Sequence, residues 1–179
     1  FYEQLNNVNH DFTEKETQQY EAWFNSVIPA SEILKINLSK ITSIHIHGAY
    51  NFLPVYNFLR LCGIENDVVT ILTTHNPWKP ELEDLEYLSK SMNSRQLKVH
   101  SHFSKIRDHY AFTMADALFF PTEHSVEEYH RSWPGFAEIA QDKPIYFSLT
   151  GAQRKVSRIP RNIMREDLNI PSDAKVILY

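Results

Sequence analysis

Short apolar runs alternate with amphipathic stretches through the middle of the chain. The runs are rich in β-branched or aromatic residues and predict strands over 41–46, 68–72, 117–120 and 144–149. The stretches between them carry apolar residues at helical spacing. Strands that alternate with helices in this way indicate βαβ units. We therefore expect an α/β fold with a Rossmann-like, mostly parallel sheet and helices on both faces.

Start and stop signals support several of the predicted helices. Thr13, followed three residues later by Glu16, predicts a capping box for a helix that runs to about Val27. Gly63 predicts the end of the helix that follows the first strand. Ser125 predicts the start of another helix, through the capping-box sequence of residues 125–128.

The segment 94–103 is ambiguous. Apolar and polar residues alternate there, which allows a strand, whereas residues 104–115 predict a helix. The alternation includes His100 and His102, which we expect to be solvated. Cys62 is the single cysteine, which excludes an internal disulfide, and its place at the end of an apolar helical pattern predicts a buried, inert thiol.

Histidines lie where two of the predicted strands end. The first strand runs into His45-Ile46-His47-Gly48, and the second into Thr73-Thr74-His75-Asn76. Right-handed crossovers bring the carboxyl ends of parallel strands to one edge of the sheet, where ligands bind. A neutral imidazole can both donate and accept a hydrogen bond, so His75 is the best candidate. The alternative is a histidine that caps the next helix or bonds a neighbouring loop.

Composition narrows the class of protein. The chain has 179 residues, 42% hydrophobic content and a net charge of -4, which suit a globular domain and give no general reason to expect nucleic acid as a partner. Its four glycines form neither G-x-G-x-x-G nor a P-loop. No apolar run reaches the ~18 residues of a membrane span, and no signal peptide is evident, so a cytoplasmic location is expected.

The two ends of the chain suggest a piece of a longer protein. The first residue is Phe1 rather than Met, and the character changes after Gly151, where basic residues follow without acids as far as Arg165. We expect residues 1–150 to form one Rossmann-like domain that lacks its first strand. Residues 151–174 are predicted to be a basic linker, which could instead touch a pyrophosphate or an anionic membrane lipid. Residues 175–179 are predicted to begin a second domain.

Four segments, taken in order, resemble GT-B glycosyltransferases of the family 4 type. They are Ile44-His45-Ile46-His47-Gly48, the strand 67–76 that ends in Thr-His, the segment 112–123 with Ala-Asp and Pro-Thr-Glu, and the segment 165–179. The resemblance implies the N-terminal, acceptor-binding domain of a retaining glycosyltransferase. It covers about residues 41–179. The Gly-rich first loop of the family is absent, and its donor-binding motifs would follow Tyr179.

The resemblance also implies substrates and roles. The substrates would be a nucleotide-diphosphate sugar and a sugar-containing acceptor, with no cofactor and no catalytic metal, and this chain alone is expected to be inactive. By resemblance His75 would be catalytic. The residues that we expect to line the acceptor site are His47, Gly48, Asn76, Trp78, Glu123 and His124.

Two other functions remain open at this stage. His45 and His47 share a face of their strand, and such a pair can supply two ligands of a zinc hydrolase. That reading needs a third ligand and a supporting carboxylate. The same domain could also act as a sugar-binding module without catalysis. Bound zinc would support the hydrolase.

Overall fold

The computed structural model describes residues 12–28, 40–76, 78–147, 161–167 and 169–171. The chain divides into two units, Phe1–Leu149 and Thr150–Tyr179, and each is described by itself. The predicted domain boundaries stay predictions, and the strand expected over 175–179 lies outside the described residues. In the second unit, the described part is the helix Arg161–Asp167 and the turn that follows it.

Four parallel strands form a single sheet in the first unit. They are β1 (Ser43–His47), β2 (Val69–Thr73), β3 (Ala117–Phe120) and β4 (Ile145–Phe147), and their order across the sheet follows their order in the chain. The register pairs His47 with Thr73 and Thr73 with Phe119. The prediction of an α/β fold with a Rossmann-like parallel sheet flanked by helices is confirmed.

Helices precede, connect and cover the strands. They are α1 (Glu14–Phe24), α2 (Ala49–Cys62), α3 (Pro80–Leu88), α4 (Ser94–Met114), α5 (Glu123–Ser132) and α6 (Phe136–Ala140), with α7 (Arg161–Asp167) in the second unit. The Thr13–Glu16 capping box is present, and Gly63 ends α2 in the left-handed conformation, as predicted. Across the described ranges, none of these helices combines the length and the apolar character needed to cross a bilayer.

Two local predictions are wrong, and the ambiguous segment 94–103 is helical. Residues 94–103 belong to α4, which Asn93 opens with its own capping box, so the polar alternation is a face of a helix and not a strand. The helix α5 starts at Glu123, because Thr122 rather than Ser125 is its N-cap. Cys62 is exposed, because it lies at the C-terminal end of α2 on the side away from the core.

One face of the sheet is buried under the helices. Ile46, Leu72, Leu118 and Phe120 point to this face and are at most 2% exposed, in a core that continues into Phe112, Tyr129 and Phe136. The opposite face carries the alternate residues of each strand. Among these, His45, Val69 and Tyr146 are exposed. A second cluster joins α1 to the domain through Phe24, Leu53, Val99 and Phe103.

A buried charge network fastens α3 to α4. The Asp108 carboxylate, which is fully buried, accepts hydrogen bonds from the Glu81 N–H at 2.8 Å and from Arg107 Nε at 2.7 Å. Glu81 in turn pairs with Lys79 at 3.1 Å. Burial raises the pKa of Asp108 to about 6, although Arg107 and the Glu81 N–H act in the opposite direction. These bonds hold the start of α3, and with it the loop that carries His75.

Candidate functional site

His47 and His75 form a hydrogen-bonded pair at the carboxyl ends of β1 and β2. His47 Nδ1 lies 2.9 Å from His75 Nε2. Their rings are nearly parallel, with an interplanar angle of 10° and centroids 5.2 Å apart. Both side chains are exposed, so each ring offers its second nitrogen to solvent or to a ligand. The sequence predicted these two residues at the same edge of the sheet, and the structure brings them into contact.

Gly48 makes the turn that places His47 at the strand end. Its φ is 79° and its ψ is 138°, a conformation that side chains with a Cβ rarely adopt. Its N–H donates to the Thr73 carbonyl at 2.9 Å, which extends the β1–β2 pairing by one residue. Asn51 then bonds the His47 carbonyl through its side-chain amide at 2.8 Å. The peptide group between His47 and Gly48 is therefore held by hydrogen bonds from its N–H and to its carbonyl oxygen.

The loop that carries His75 is fixed on both sides of the histidine. Before it, the Thr74 hydroxyl lies 2.5 Å from the buried Tyr129 hydroxyl, and the Thr74 N–H donates to the Phe119 carbonyl at 3.1 Å. After it, the Asn76 N–H donates to the Thr74 hydroxyl at 3.3 Å, and the Asn76 amide donates to Glu83 in α3. Burial raises the pKa of Tyr129, so its hydroxyl stays neutral.

A groove of about 540 Å³ lies beside this pair, and we call it the β1 groove. It runs between the outer edge of β1, the first half of α2 and the segment after α1, and its lining residues are Ser26, Val27, Ile28, His45, Ile46, His47, Asn51, Pro54 and Val55. The lining is mostly apolar and includes the imidazole groups of His45 and His47 and the amide of Asn51. A few polar groups in an otherwise apolar cleft are typical of small-molecule sites.

Thr73 is a part of the site that sequence reasoning missed. Its residue is 3% exposed, and its hydroxyl has no hydrogen-bond partner among the described residues. The register places it between His47 and Phe119 on the same face of the sheet. A buried hydroxyl without a partner costs free energy, so this position is unusual. In the sequence, the signal that could have indicated Thr73 is the pair of consecutive threonines before His75.

The other predicted site residues take part in different contacts. Asn76 positions the loop, as described above. Trp78 is half-buried before α3 and makes no ring contact with either histidine. Glu123 and His124 are exposed in the first turn of α5, where His124 Nδ1 lies 3.1 Å from Glu127. The expected role of Glu123 and His124 in the acceptor site stays a prediction.

The zinc hydrolase alternative lacks a third metal ligand among the described residues. The rings of His45 and His47 have centroids 6.4 Å apart and stand edge to face. His45 instead neighbours Phe119, with ring centroids 5.8 Å apart. Within the part of the chain that the structure describes, no group of three or more His, Cys, Asp or Glu residues is spaced to hold a metal ion.

The fold and the pair together define an α/β protein of the parallel-sheet class with a candidate site at its carboxyl edge. Compared with protein-family models, with curated proteins and with solved structures, the chain has no match. The function must therefore be argued from the site itself.

Proposed function

We propose that this chain is the acceptor-binding domain of a retaining GT-B glycosyltransferase, as the resemblance of its motifs implies. The proposed reaction moves a sugar from a nucleotide diphosphate to a hydroxyl of a sugar-containing acceptor. The bond from the anomeric carbon to the diphosphate breaks, a bond to the acceptor oxygen forms, and the hydroxyl proton is released. The observation that carries the proposal is the contact between His47 and His75.

The pair is chemically suited to a hydroxyl group. One hydrogen atom occupies the bond between His47 Nδ1 and His75 Nε2, and either ring can supply it. If His47 donates, its Nε2 is an acceptor and His75 Nδ1 carries a hydrogen. If His75 donates, the two outer nitrogens exchange these roles. A neutral pair therefore always presents one donor and one acceptor, which is what a hydroxyl group needs.

The surroundings support a sugar acceptor rather than a charged one. Among the described residues, the lining of the β1 groove is mostly apolar and includes no acidic or basic side chain apart from His45 and His47. An apolar wall with a few hydrogen-bonding groups fits a sugar ring or a glycan chain. The start of α2 directly follows the turn at Gly48, and helix N-termini stabilise developing negative charge, such as that on a leaving diphosphate.

The test is a transfer assay on the protein that carries this chain. Nucleotide-diphosphate sugars labelled in the sugar are offered with glycan and lipid-linked acceptors, and labelled product is measured. We expect transfer with retained anomeric configuration. His75→Ala and His47→Ala should each reduce the amount of labelled product. Product formation that is unaffected by either variant would contradict the proposed site.

Elemental analysis separates this proposal from the zinc hydrolase. We expect less than one zinc per chain after purification without chelator. One zinc per chain that is lost in the His45→Ala, His47→Ala double variant would favour the hydrolase. Saccharide binding that persists without any transfer would favour the non-catalytic sugar-binding module.

A further inference from the structure

A second cavity, of about 350 Å³, lies between α1, the start of α2 and the middle of α4. We call it the aromatic pocket, and its lining residues are Gln19, Tyr20, Trp23, Tyr50, His100, Ser104 and Arg107. None of these residues was predicted to be functional from the sequence. The size lies within the range of small-ligand sites, and three aromatic rings with a few polar groups are typical of them.

The polar groups of the aromatic pocket have unused hydrogen-bonding capacity. Arg107 is 5% exposed, and its Nε and Nη1 bind Asp108 at 2.7 Å and Asp84 at 2.8 Å. Its other terminal nitrogen, Nη2, bonds to none of the described residues. His100 Nε2 is buried without a hydrogen-bond partner in the described chain and lies 3.8 Å from Asp84. A ligand with oxygen atoms could use Arg107 Nη2, whereas His100 Nε2 is enclosed by the protein.

The charges around Arg107 decide which oxygen groups fit. Two carboxylates already contact the guanidinium, so its positive charge is compensated within the protein. A phosphate or carboxylate bound to Nη2 would approach Asp84 and Asp108, and like charges at short range repel in a partly buried site. A neutral hydroxyl or carbonyl oxygen avoids this cost.

The aromatic walls favour a ring with apolar faces. Trp23 is half-buried, and Tyr20 already stacks on Phe103 with ring centroids 3.9 Å apart, so its orientation is fixed by the core. Tyr50 is 59% exposed at the first turn of α2, where it forms an outer wall. Aromatic side chains bury large apolar area while their polar atoms stay available.

From this combination we propose that the aromatic pocket binds a neutral glycosyl ring, as a carbohydrate site separate from the His47–His75 pair. The aromatic rings cover the apolar faces of the sugar, and Arg107 binds its hydroxyl groups. The inference goes beyond the proposed function, because none of its contacts involves His47 or His75. It gives α1 a role in holding an acceptor chain at a second point.

The test uses ligand-observed NMR on the full 179-residue chain. The probes are methyl glycosides of glucose, mannose, galactose and N-acetylglucosamine, with methyl glucuronide as the charged analogue. Tyr50→Ala removes an exposed wall and should leave the fold intact, which circular dichroism verifies. Tyr87→Ala is the matched control, because Tyr87 is a 77% exposed helix residue that does not line the aromatic pocket.

We expect at least one neutral glycoside to bind, with an affinity that Tyr50→Ala lowers about tenfold and Tyr87→Ala leaves unchanged. We also expect His75→Ala to leave this binding unchanged. Binding that is lost in His75→Ala but kept in Tyr50→Ala would overturn the aromatic pocket while supporting the proposed function. Tighter binding of the glucuronide, or no binding of any glycoside, would also overturn it.

Discussion

His47 Nδ1 and His75 Nε2 are 2.9 Å apart, although 28 residues separate the two histidines in the chain. Parallel pairing of β1 with β2 brings about this contact, because His47 is the last residue of β1 and pairs with Thr73, two residues before His75. The contact leaves one nitrogen of each ring open. Because these two nitrogens form a donor and acceptor pair, we expect replacement of a histidine to change activity.

Replacing His75 with alanine should reduce chemistry more than stability. If the pair binds the acceptor hydroxyl, His75→Ala lowers kcat/KM for sugar transfer by about ten- to a thousand-fold, or about 1.4–4 kcal/mol. The urea midpoint should move little, because the His75 side chain is exposed. His109→Ala, which removes an exposed histidine of α4, is the control for both measurements. If turnover per folded molecule were unchanged in His75→Ala, His75 would be a structural residue and the prediction would be wrong.

Tyr129 should stabilise the loop that carries His75. Tyr129→Phe removes the hydroxyl that lies 2.5 Å from Thr74 and leaves the Thr74 hydroxyl with poorer partners in the core. We expect a loss of about 1–3 kcal/mol in the free energy of unfolding. Tyr87→Phe alters an exposed hydroxyl and should change stability by less than about 0.5 kcal/mol. Equal effects of the two variants in urea unfolding would show that the buried bond contributes little.

The strands and the site edge were predictable because they depend on local pattern. Apolar runs predicted all four strands, and the rule that ligands meet the carboxyl ends of parallel strands selected His47 and His75. The direct bond between them was not predictable, since it depends on the register of β1 against β2. The hydrogen bond between Thr74 and Tyr129 was not predictable either, because Tyr129 lies 55 residues further along the chain.

The sequence was ambiguous where two patterns compete. The polar and apolar alternation over 94–103 fits a strand, but the Asn93 capping box and the length of α4 decide for a helix. The aromatic pocket was missed as well, because His100 was expected to be solvated, whereas its Nε2 is buried. The acceptor-site roles expected for Trp78 and His124 stay predictions.

Gly48 should be far less replaceable than Gly63. Gly63 has φ 68° and ψ 27°, with open space where a Cβ would lie, so Gly63→Ala costs only about 1–2 kcal/mol of left-handed strain. Gly48 has φ 79° and ψ 138°, a region almost restricted to glycine, and an added Cβ would lie 2.6 Å from Tyr50 Cε1. We expect Gly48→Ala to cost about 3 kcal/mol or more in urea unfolding. A cost equal to that of Gly63→Ala would mean that the β1–α2 turn relaxes.

Asp108 should make the protein more stable as the pH falls. Its pKa is about 6 in the folded state against an ordinary value of 3.8, so the folded protein binds the proton more tightly. The resulting stabilisation is complete below 3.8 and is lost as the pH rises through about 6. In urea unfolding at a series of pH values, the stability of the wild type relative to Asp108→Asn should therefore increase between about pH 7 and pH 4.

Glu16 provides the matched control with the opposite sign. Hydrogen bonds from the Thr13 backbone and from Arg95 lower the pKa of Glu16 to about 2, below its ordinary value of 4.5. Its contribution is present above 4.5 and is lost as the pH falls through about 2. The stability of the wild type relative to Glu16→Gln should therefore decrease on acidification, while the difference for Asp108→Asn increases. If the stability differences for the two variants changed with pH in the same direction, the raised pKa of Asp108 would be contradicted. Burial would then not outweigh the Arg107 charge in the network that holds α3.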